Sequence, residues 1–390
     1  MRLGYLINAR MPTPRAHGVQ TVRMCEAFAR QGLDVDLVHP WRVQGGLRGQ
    51  DPAAYYRVND SIRFVALRHP DFLPLAAWRP NGVMDRALRY VDSRLFAARA
   101  ARFARGRAYD LVFTRNWLEA DACSRLGLRT VFEAHAVPKK EGQRQTVLRL
   151  TQRENLELTV AISEGVAREM RDLGVSATRL LVAPDAVDSD AYRGLPDRDE
   201  ARRLLGLPVD RPVAVYTGSL FRWKGVETMM AAAKLLPEVT FLVVGAGDVD
   251  QEAFVRKQAA RGNVVYAGHV PPGDVPLYQR AADVALLPNS ATERIGSHYT
   301  SPLKLFEYMA AGLPIVASDV PALREHLADG KTSLLVPPDR PEALAAAVSR
   351  LVSDQELRRS LAAAGTSYVQ KFTWDARAEA ILERLATTSM

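Results

Sequence analysis

The chain has 390 residues, of which 47% are hydrophobic, 25% charged and 7% aromatic, proportions that exclude collagen-like, coiled-coil and disordered proteins. At roughly 100–200 residues per domain, the length predicts two domains, each able to bury its own core. The net charge of +8 is one-sided: residues 1–187 hold 29 Lys and Arg against 19 Asp and Glu, whereas residues 188–390 hold 23 against 25.

The N-terminal MRLGYLINARMP has too short an apolar core for a secretion signal, and residues 3–7 read as a first strand. Further apolar, β-branched or aromatic runs follow at 35–38, 62–67, 109–114, 130–134 and 158–162. The series restarts at 212–218, 240–245, 263–268, 283–288, 314–318 and 333–337. Near-continuous apolar runs separated by helical periodicity predict parallel strands covered on both faces, hence α/β. The polar, turn-rich stretch 183–200 divides the series. The reading is two Rossmann-like, doubly wound parallel-sheet domains facing across a cleft, with the site at the strands' carboxyl ends. No run of about 18 uncharged apolar residues exists to span a membrane. Cys25 and Cys123 cannot build a disulfide framework, so a reducing, cytoplasmic location is expected.

Several segments carry candidate chemistry. Gly18 opens the helix after the first strand, where a missing side chain lets a ligand approach the backbone. The segment 86–107 holds seven arginines and one acid, Asp92, with Leu88, Val91, Leu95, Phe96 and Phe103 interleaved. It reads either as a surface helix packed on the sheet or as a basic amphipathic helix on an anionic membrane. His135 ends the fifth strand on the cleft side. Arg222 and Lys224, in the loop after the strand at 212–218, are placed to neutralise a pyrophosphate leaving group. Ser301 followed by Pro302 starts a helix that Gly312 and Pro314 end. The free N–H groups of Leu303 and Lys304 at that terminus make a phosphate-sized anion site. Glu307, one turn deeper on the Leu303 face, is placed to accept hydrogen bonds from a ribose diol.

The D-x-D pairs Asp34/Asp36, Asp188/Asp190 and Asp248/Asp250 lack further ligands, and no zinc-ligand spacing occurs. No metal, no cofactor and no nucleic-acid partner is expected. GAGDVD at 245–250 lacks the third glycine of a dinucleotide fingerprint.

Taken together, KGVETMMAAAKLL, FLVVGAG, NVVYAGHV, LYQRAADVALLP and SPLKLFEYMAAGLPIVASD resemble the donor domain of family 4 retaining glycosyltransferases of the two-domain GT-B architecture. AHGVQTVRMCEAFARQGLDVDLV and KFTWDARAEAILERL resemble that family's first and last helices. The resemblance implies an acceptor domain at 1–187, a nucleotide-sugar domain at 188–370 and a final helix, 371–390, crossing back. It implies that Glu307 holds the donor ribose. Ser301, Pro302 and Leu303 would then hold the diphosphate, with Lys224 on the pyrophosphate. His135 would lie near the transferred sugar and Gly18 near the donor phosphates. Two positions depart from the pattern. Tyr299 stands where the family's first Glu contacts the hexose. Ser219 stands where its Arg is usual, with Arg222 as a replacement.

The expectation is therefore a retaining glycosyltransferase that takes a nucleotide-diphosphate sugar. No carboxylate is clearly placed as a covalent nucleophile, which favours front-face transfer. The basic first half implies a glycan or lipid-linked acceptor at an anionic membrane. A nucleotide-sugar epimerase and a non-catalytic nucleotide-binding scaffold are the alternatives.

Overall fold

A computed structural model describes residues 1–42, 47, 49–58, 61–73, 83–260, 262–298 and 303–388. The chain forms two compact units. Met1–Thr13, His17–Pro184 and Asp375–Met390 make the first, and Pro14–Ala16 with Asp185–Trp374 make the second.

The first unit is a parallel seven-stranded sheet of β1 (Arg2–Leu6), β2 (Asp34–Pro40), β3 (Ile62–Leu67), β4 (Leu111–Thr114), β5 (Thr130–Ala134), β6 (Leu156–Ala161) and β7 (Leu180–Val182), ordered β3-β2-β1-β4-β5-β6-β7. Tyr5 at its centre faces Leu37 of β2 on one side and Phe113 of β4 on the other. β4 and β5 are buried along their whole length, which is why β4 reads as a near-continuous apolar run rather than an alternating one, while β5 also buries Glu133. β7, three residues long at the sheet edge, is not among the apolar runs read from the sequence.

The second unit is a parallel six-stranded sheet of β8 (Val213–Thr217), β9 (Thr240–Val244), β10 (Val264–Gly268), β11 (Val284–Leu287), β12 (Ile315–Ser318) and β13 (Leu334–Val336), ordered β10-β9-β8-β11-β12-β13. Chain order reverses between β1 and β4 in one sheet and between β8 and β11 in the other. At such points a crevice opens outside the strands' carboxyl ends.

The Val83–Arg107 helix covers one face of the first sheet. Its packed side is Phe96, Ala100, Ala101 and Ala104, set against Leu6, Val38, Leu67 and Val112. Alanines let the helix sit close, and Asp92 clamps it by accepting from both terminal nitrogens of Arg42 at 2.7 and 3.2 Å and from the Phe72 N–H. Val91 and Leu95 are 46% and 43% exposed. The two residues of the apolar stripe that packing would have buried thus face outward. The last helix, Trp374–Thr388, joins the first unit through an Arg30–Asp375 pair at 2.7 Å and an Arg377–Glu133 pair at 2.8 Å. No helix among the described residues is long and apolar enough to cross a membrane.

Candidate functional site

At the carboxyl end of β8 the chain leaves Thr217 through Gly218, whose φ of +123° places it in a region other residues avoid. It then forms a short turn, Arg222–Lys224, closed by Gly225 at φ +73°. A side chain at Gly225 has no room, since its Cβ would fall 1.7 Å from the Pro288 carbonyl oxygen beyond β11. This close packing buries Lys224 to 9% exposure, with its ammonium 4.0 Å from the Trp223 ring centre. Among the described residues, Lys224 has no salt-bridge partner. Burial holds its pKa down to about 8.

The Leu303–Ala310 helix brings a second cation to the same place. Lys304 is 7% exposed, its ammonium lies 3.5 Å from the Tyr216 ring centre, and its Nζ makes no hydrogen bond among the described residues. A Cβ at Gly218 would come within 3.1 Å of that nitrogen, so the glycine makes the space the ammonium occupies. Leu303 begins the helix. Tyr299, Ser301 and Pro302, the expected loop leading into it, lie outside the described residues.

Glu307 follows Lys304 by three residues, half-buried, and accepts from Gln279 Nε2 at 3.3 Å. Gln279 is itself fixed by Tyr192, whose hydroxyl donates to Gln279 Oε1 at 2.6 Å. Thr217 donates its N–H to the Tyr308 hydroxyl at 2.8 Å, tying β8 to the helix. Burial pushes the Glu307 carboxyl up, with Gln279 and Lys304 partly offsetting it. The second unit thus sets two buried ammonium groups beside a carboxylate held by one amide. Such an arrangement accommodates an anion next to a hydroxyl donor.

Arg222 departs from its expected role. Its side chain is 77% exposed and lies 3.4 Å from Glu227, because Gly225 turns Lys224 inward and leaves Arg222 on the outer side.

In the first unit, β4 and β5 deliver Arg115, Glu133 and His135 to one cluster. Arg115 donates to His135 Nδ1 at 3.1 Å, so Nδ1 accepts and Nε2–H is left to donate to Glu133 Oε1 at 2.5 Å. Gln20 donates to the same Oε1 at 2.7 Å, and Arg377 donates to Oε2 at 2.8 Å. Burial raises the Glu133 pKa, but Arg377, His135 and Arg115 more than offset it, so the carboxylate stays ionised well below its usual range. Burial, then the charge of Arg115, lowers His135 to about 4. His135 is therefore a neutral imidazole with both ring nitrogens engaged.

Gly18 also differs from the expectation. A Cβ there would lie 2.2 Å from the Tyr56 hydroxyl, and that hydroxyl bonds the Thr13 N–H and carbonyl at 2.9 and 3.0 Å. The group closely approaching Gly18 is a tyrosine of its own unit.

At least one aspartate of each pair is engaged within the protein. Asp36 accepts from Tyr109 and Arg63, Asp34 pairs with Arg63, Asp188 caps a short turn and Asp248 caps the Val249–Ala259 helix. Among the described residues, no group of three or more His, Cys, Asp or Glu is placed to hold a metal.

Sequence reasoning missed Glu133, Arg377, Gln279 and Tyr192. Only Glu133 carried a local signal, since two residues before His135 it shares that residue's face of the strand.

Residues 17–191 match the family model described as Glycosyltransferase Family 4, and residues 211–354 match the one described as Glycosyl transferases group 1. The chain is 31% identical over 242 residues to the phosphatidyl-myo-inositol mannosyltransferase of Mycobacterium tuberculosis, a match covering 59% of each chain. It therefore spans less than two thirds of that relative's length. It is 27% identical to the D-inositol 3-phosphate glycosyltransferase of Jonesia denitrificans, over 92% of this chain and 87% of that one. The HepE protein of Anabaena, solved in complex with UDP-glucose, shares the fold with a TM-score of 0.77 at 18% identity, over 99% of this chain and 100% of that one.

Proposed function

Because the chain belongs to family 4 of the glycosyltransferases, we propose that it moves a hexose from a nucleotide-diphosphate sugar to an acceptor hydroxyl. Configuration is retained, and the product is a cell-envelope polysaccharide or glycolipid. The observation that carries this reading is Lys224, a buried lysine without an ion pair among the described residues, beside the helix that bears Glu307. A cation kept out of water acts strongly on charge that develops on a departing diphosphate. Glu307, half-buried and oriented by Gln279, takes the ribose diol. By the family resemblance Ser301, Pro302 and the N–H groups of Leu303 and Lys304 hold the phosphates, and Tyr299 stands at the position that contacts the hexose. The second unit is the donor domain (188–370). The first (1–187), with the last helix (371–390), takes the acceptor, and there His135 serves as a neutral, clamped imidazole. Gly18, near the donor phosphates by resemblance, seats Tyr56 within the first unit, and Arg222 contributes only through long-range charge.

Transfer proceeds without a metal in this reading, because Asp34 and Asp36 bond Arg63 and Tyr109, and Asp188 and Asp248 accept from the Asp190 and Gln251 N–H groups. A panel of labelled UDP-, GDP- and ADP-sugars tests the assignment. Slow donor hydrolysis, and transfer with retention once an acceptor is supplied, supports it. Inversion at C2 or C4 of the sugar makes the chain an epimerase, and binding without turnover makes it a scaffold. Activity unchanged by EDTA is the expected result, and a strict Mn²⁺ or Mg²⁺ requirement refutes the metal-free route.

The acceptor side is a cytoplasmic membrane face. On the Val83–Arg107 helix, Met84, Leu88, Val91 and Leu95 follow at intervals of four, three and four residues and form one line. Met84 is 67% exposed, and Val91 and Leu95 nearly half. Arg94, Arg99 and Arg102 are exposed on the same helix. An apolar line set among arginines fits an anionic bilayer surface, where each arginine contributes about 1 kcal/mol. Co-sedimentation with anionic but not neutral vesicles is expected, lost in high salt and in an Arg94/Arg99/Arg102→Glu variant. No sedimentation with anionic vesicles at low salt ends the membrane reading and leaves the transferase reading standing.

A further inference from the structure

Lys304 is a buried cation near the second unit's strand ends, and its Nζ lacks any hydrogen bond among the described residues. An ammonium in that condition costs stability unless something completes its surroundings. Its position is fixed rather than incidental. The Tyr216 ring lies 3.5 Å to one side, and Gly218 leaves just enough room, since a Cβ there would crowd the nitrogen at 3.1 Å. The titratable groups that face it are Lys224 from the turn after β8, Glu307 from its own helix and Tyr216 from β8. The nearest full charge of like sign, Lys224, is also without an ion pair among the described residues. Two cations share this place with a single half-buried carboxylate, Glu307, and the net positive charge left over suits a multiply charged anion.

We infer that the Lys304 side chain is a second ligand of the donor's diphosphate, and that donor binding draws a proton into the site. The inference rests on reading the second unit as a nucleotide-diphosphate site. Burial, and then the charge of Lys224, hold the Lys304 ammonium well below the ordinary lysine range, with Glu307 pulling the other way. Burial alone holds Lys224 down to about 8. Near pH 8 the free pair therefore carries fewer than two positive charges, whereas the pair facing a diphosphate carries both. The bound state holds more protons than the free state, so affinity falls as pH rises above about 8.

Calorimetric titration of UDP and GDP into the full chain at pH 8, in two buffers of different ionisation enthalpy, tests this. Wild type takes up part of a proton per site. Lys304→Met, which keeps the volume and removes the charge, binds about 10-fold more weakly or worse, the loss that accompanies one hydrogen bond to a charged group, and takes up less. Lys304→Arg restores most of the affinity. The donor-free Lys304→Met protein melts about 2–4 °C higher, because a buried unpaired charge has gone; a lower melting temperature marks Lys304 as structural and overturns the inference. Equal affinity of wild type and Lys304→Met removes Lys304 as a ligand and leaves the second unit's reading intact. Weaker binding with no buffer dependence in wild type overturns the proton uptake. If wild type binds neither nucleotide, nor ADP titrated in the same way, this inference and the donor-site reading fall together.

Discussion

The two units each bury a polar cluster near the ends of their central strands, and the clusters are completed to very different degrees. Glu133 of the first unit has Gln20, His135 and Arg377 all within 2.8 Å. In the second unit Lys304 Nζ has no hydrogen-bonding partner among the described residues, and Lys224 has an aromatic ring but no carboxylate. A satisfied network fixes geometry and resists change, because removing one member exposes the desolvation cost of the rest. An unsatisfied one is held in place by surrounding packing and gains most of its free energy from a ligand. The first cluster is complete in itself, and the second is the one proposed above to bind a ligand.

The largest expected effect breaks the satisfied side. Arg377→Met leaves Glu133 buried with its main counter-charge gone, and denaturant unfolding should show a loss of about 3–5 kcal/mol. A loss under 1 kcal/mol would mean that His135 and Gln20 alone hold the carboxylate. The same variant should unfold less steeply with acid. Glu133 is held below its ordinary range in the folded state, so its stabilisation is present above the unfolded value and lost as pH falls through the folded one. Removing Arg377 shrinks that window.

Next in size, Lys224→Ala and Glu307→Ala should each lower kcat/KM by ~10² or more. They should do so differently. Lys224 meets charge that grows on the diphosphate and so acts on kcat, whereas a ribose contact is the same before and during transfer and so acts on KM. Steady-state kinetics that show the same split for both variants would merge the two roles.

A smaller effect separates the clusters by pH. The folded Lys224 titrates near 8 and its unfolded form near the ordinary 10.5. Between those values the unfolded state holds more protons, so this group's burial cost declines as pH rises. The melting temperature of Lys224→Met should therefore exceed that of wild type at pH 7.5 and converge on it by pH 10. Smallest of all, Arg222→Ala should leave kcat within about twofold, since a cation 77% exposed is screened by water. A 10²-fold loss there would show that Arg222 swings inward during the reaction.

The alternation of apolar runs and helices was sufficient to read both parallel sheets, because strands buried on two faces advertise themselves as continuous Val, Ile and Leu. β7 was not among the runs read from the sequence, although β13, equally short and also at an edge, was. The Val83–Arg107 segment was legible as a helix, but its packed face was not. Its alanines lie against the sheet while Val91 and Leu95 point outward, and hydrophobicity alone assigns those positions the other way round. Lys224 and Glu307 were visible as residues of the right type at strand and helix ends. That Lys224 turns inward and Arg222 outward was not, because a single steric fact decides it, the contact of Gly225 with Pro288.

The sequence by itself determined the two-domain α/β class, the strand positions and the family to which the chain belongs, because these follow from local periodicity and from motifs contiguous in the chain. Only the tertiary structure decided which polar groups are completed and which are left open. Glu133 meets a residue 244 positions away, Gly225 meets a carbonyl beyond β11, and Lys304 lies over a ring from a different strand. The free energy of a buried charge depends on what surrounds it in space, and no spacing along the chain encodes that.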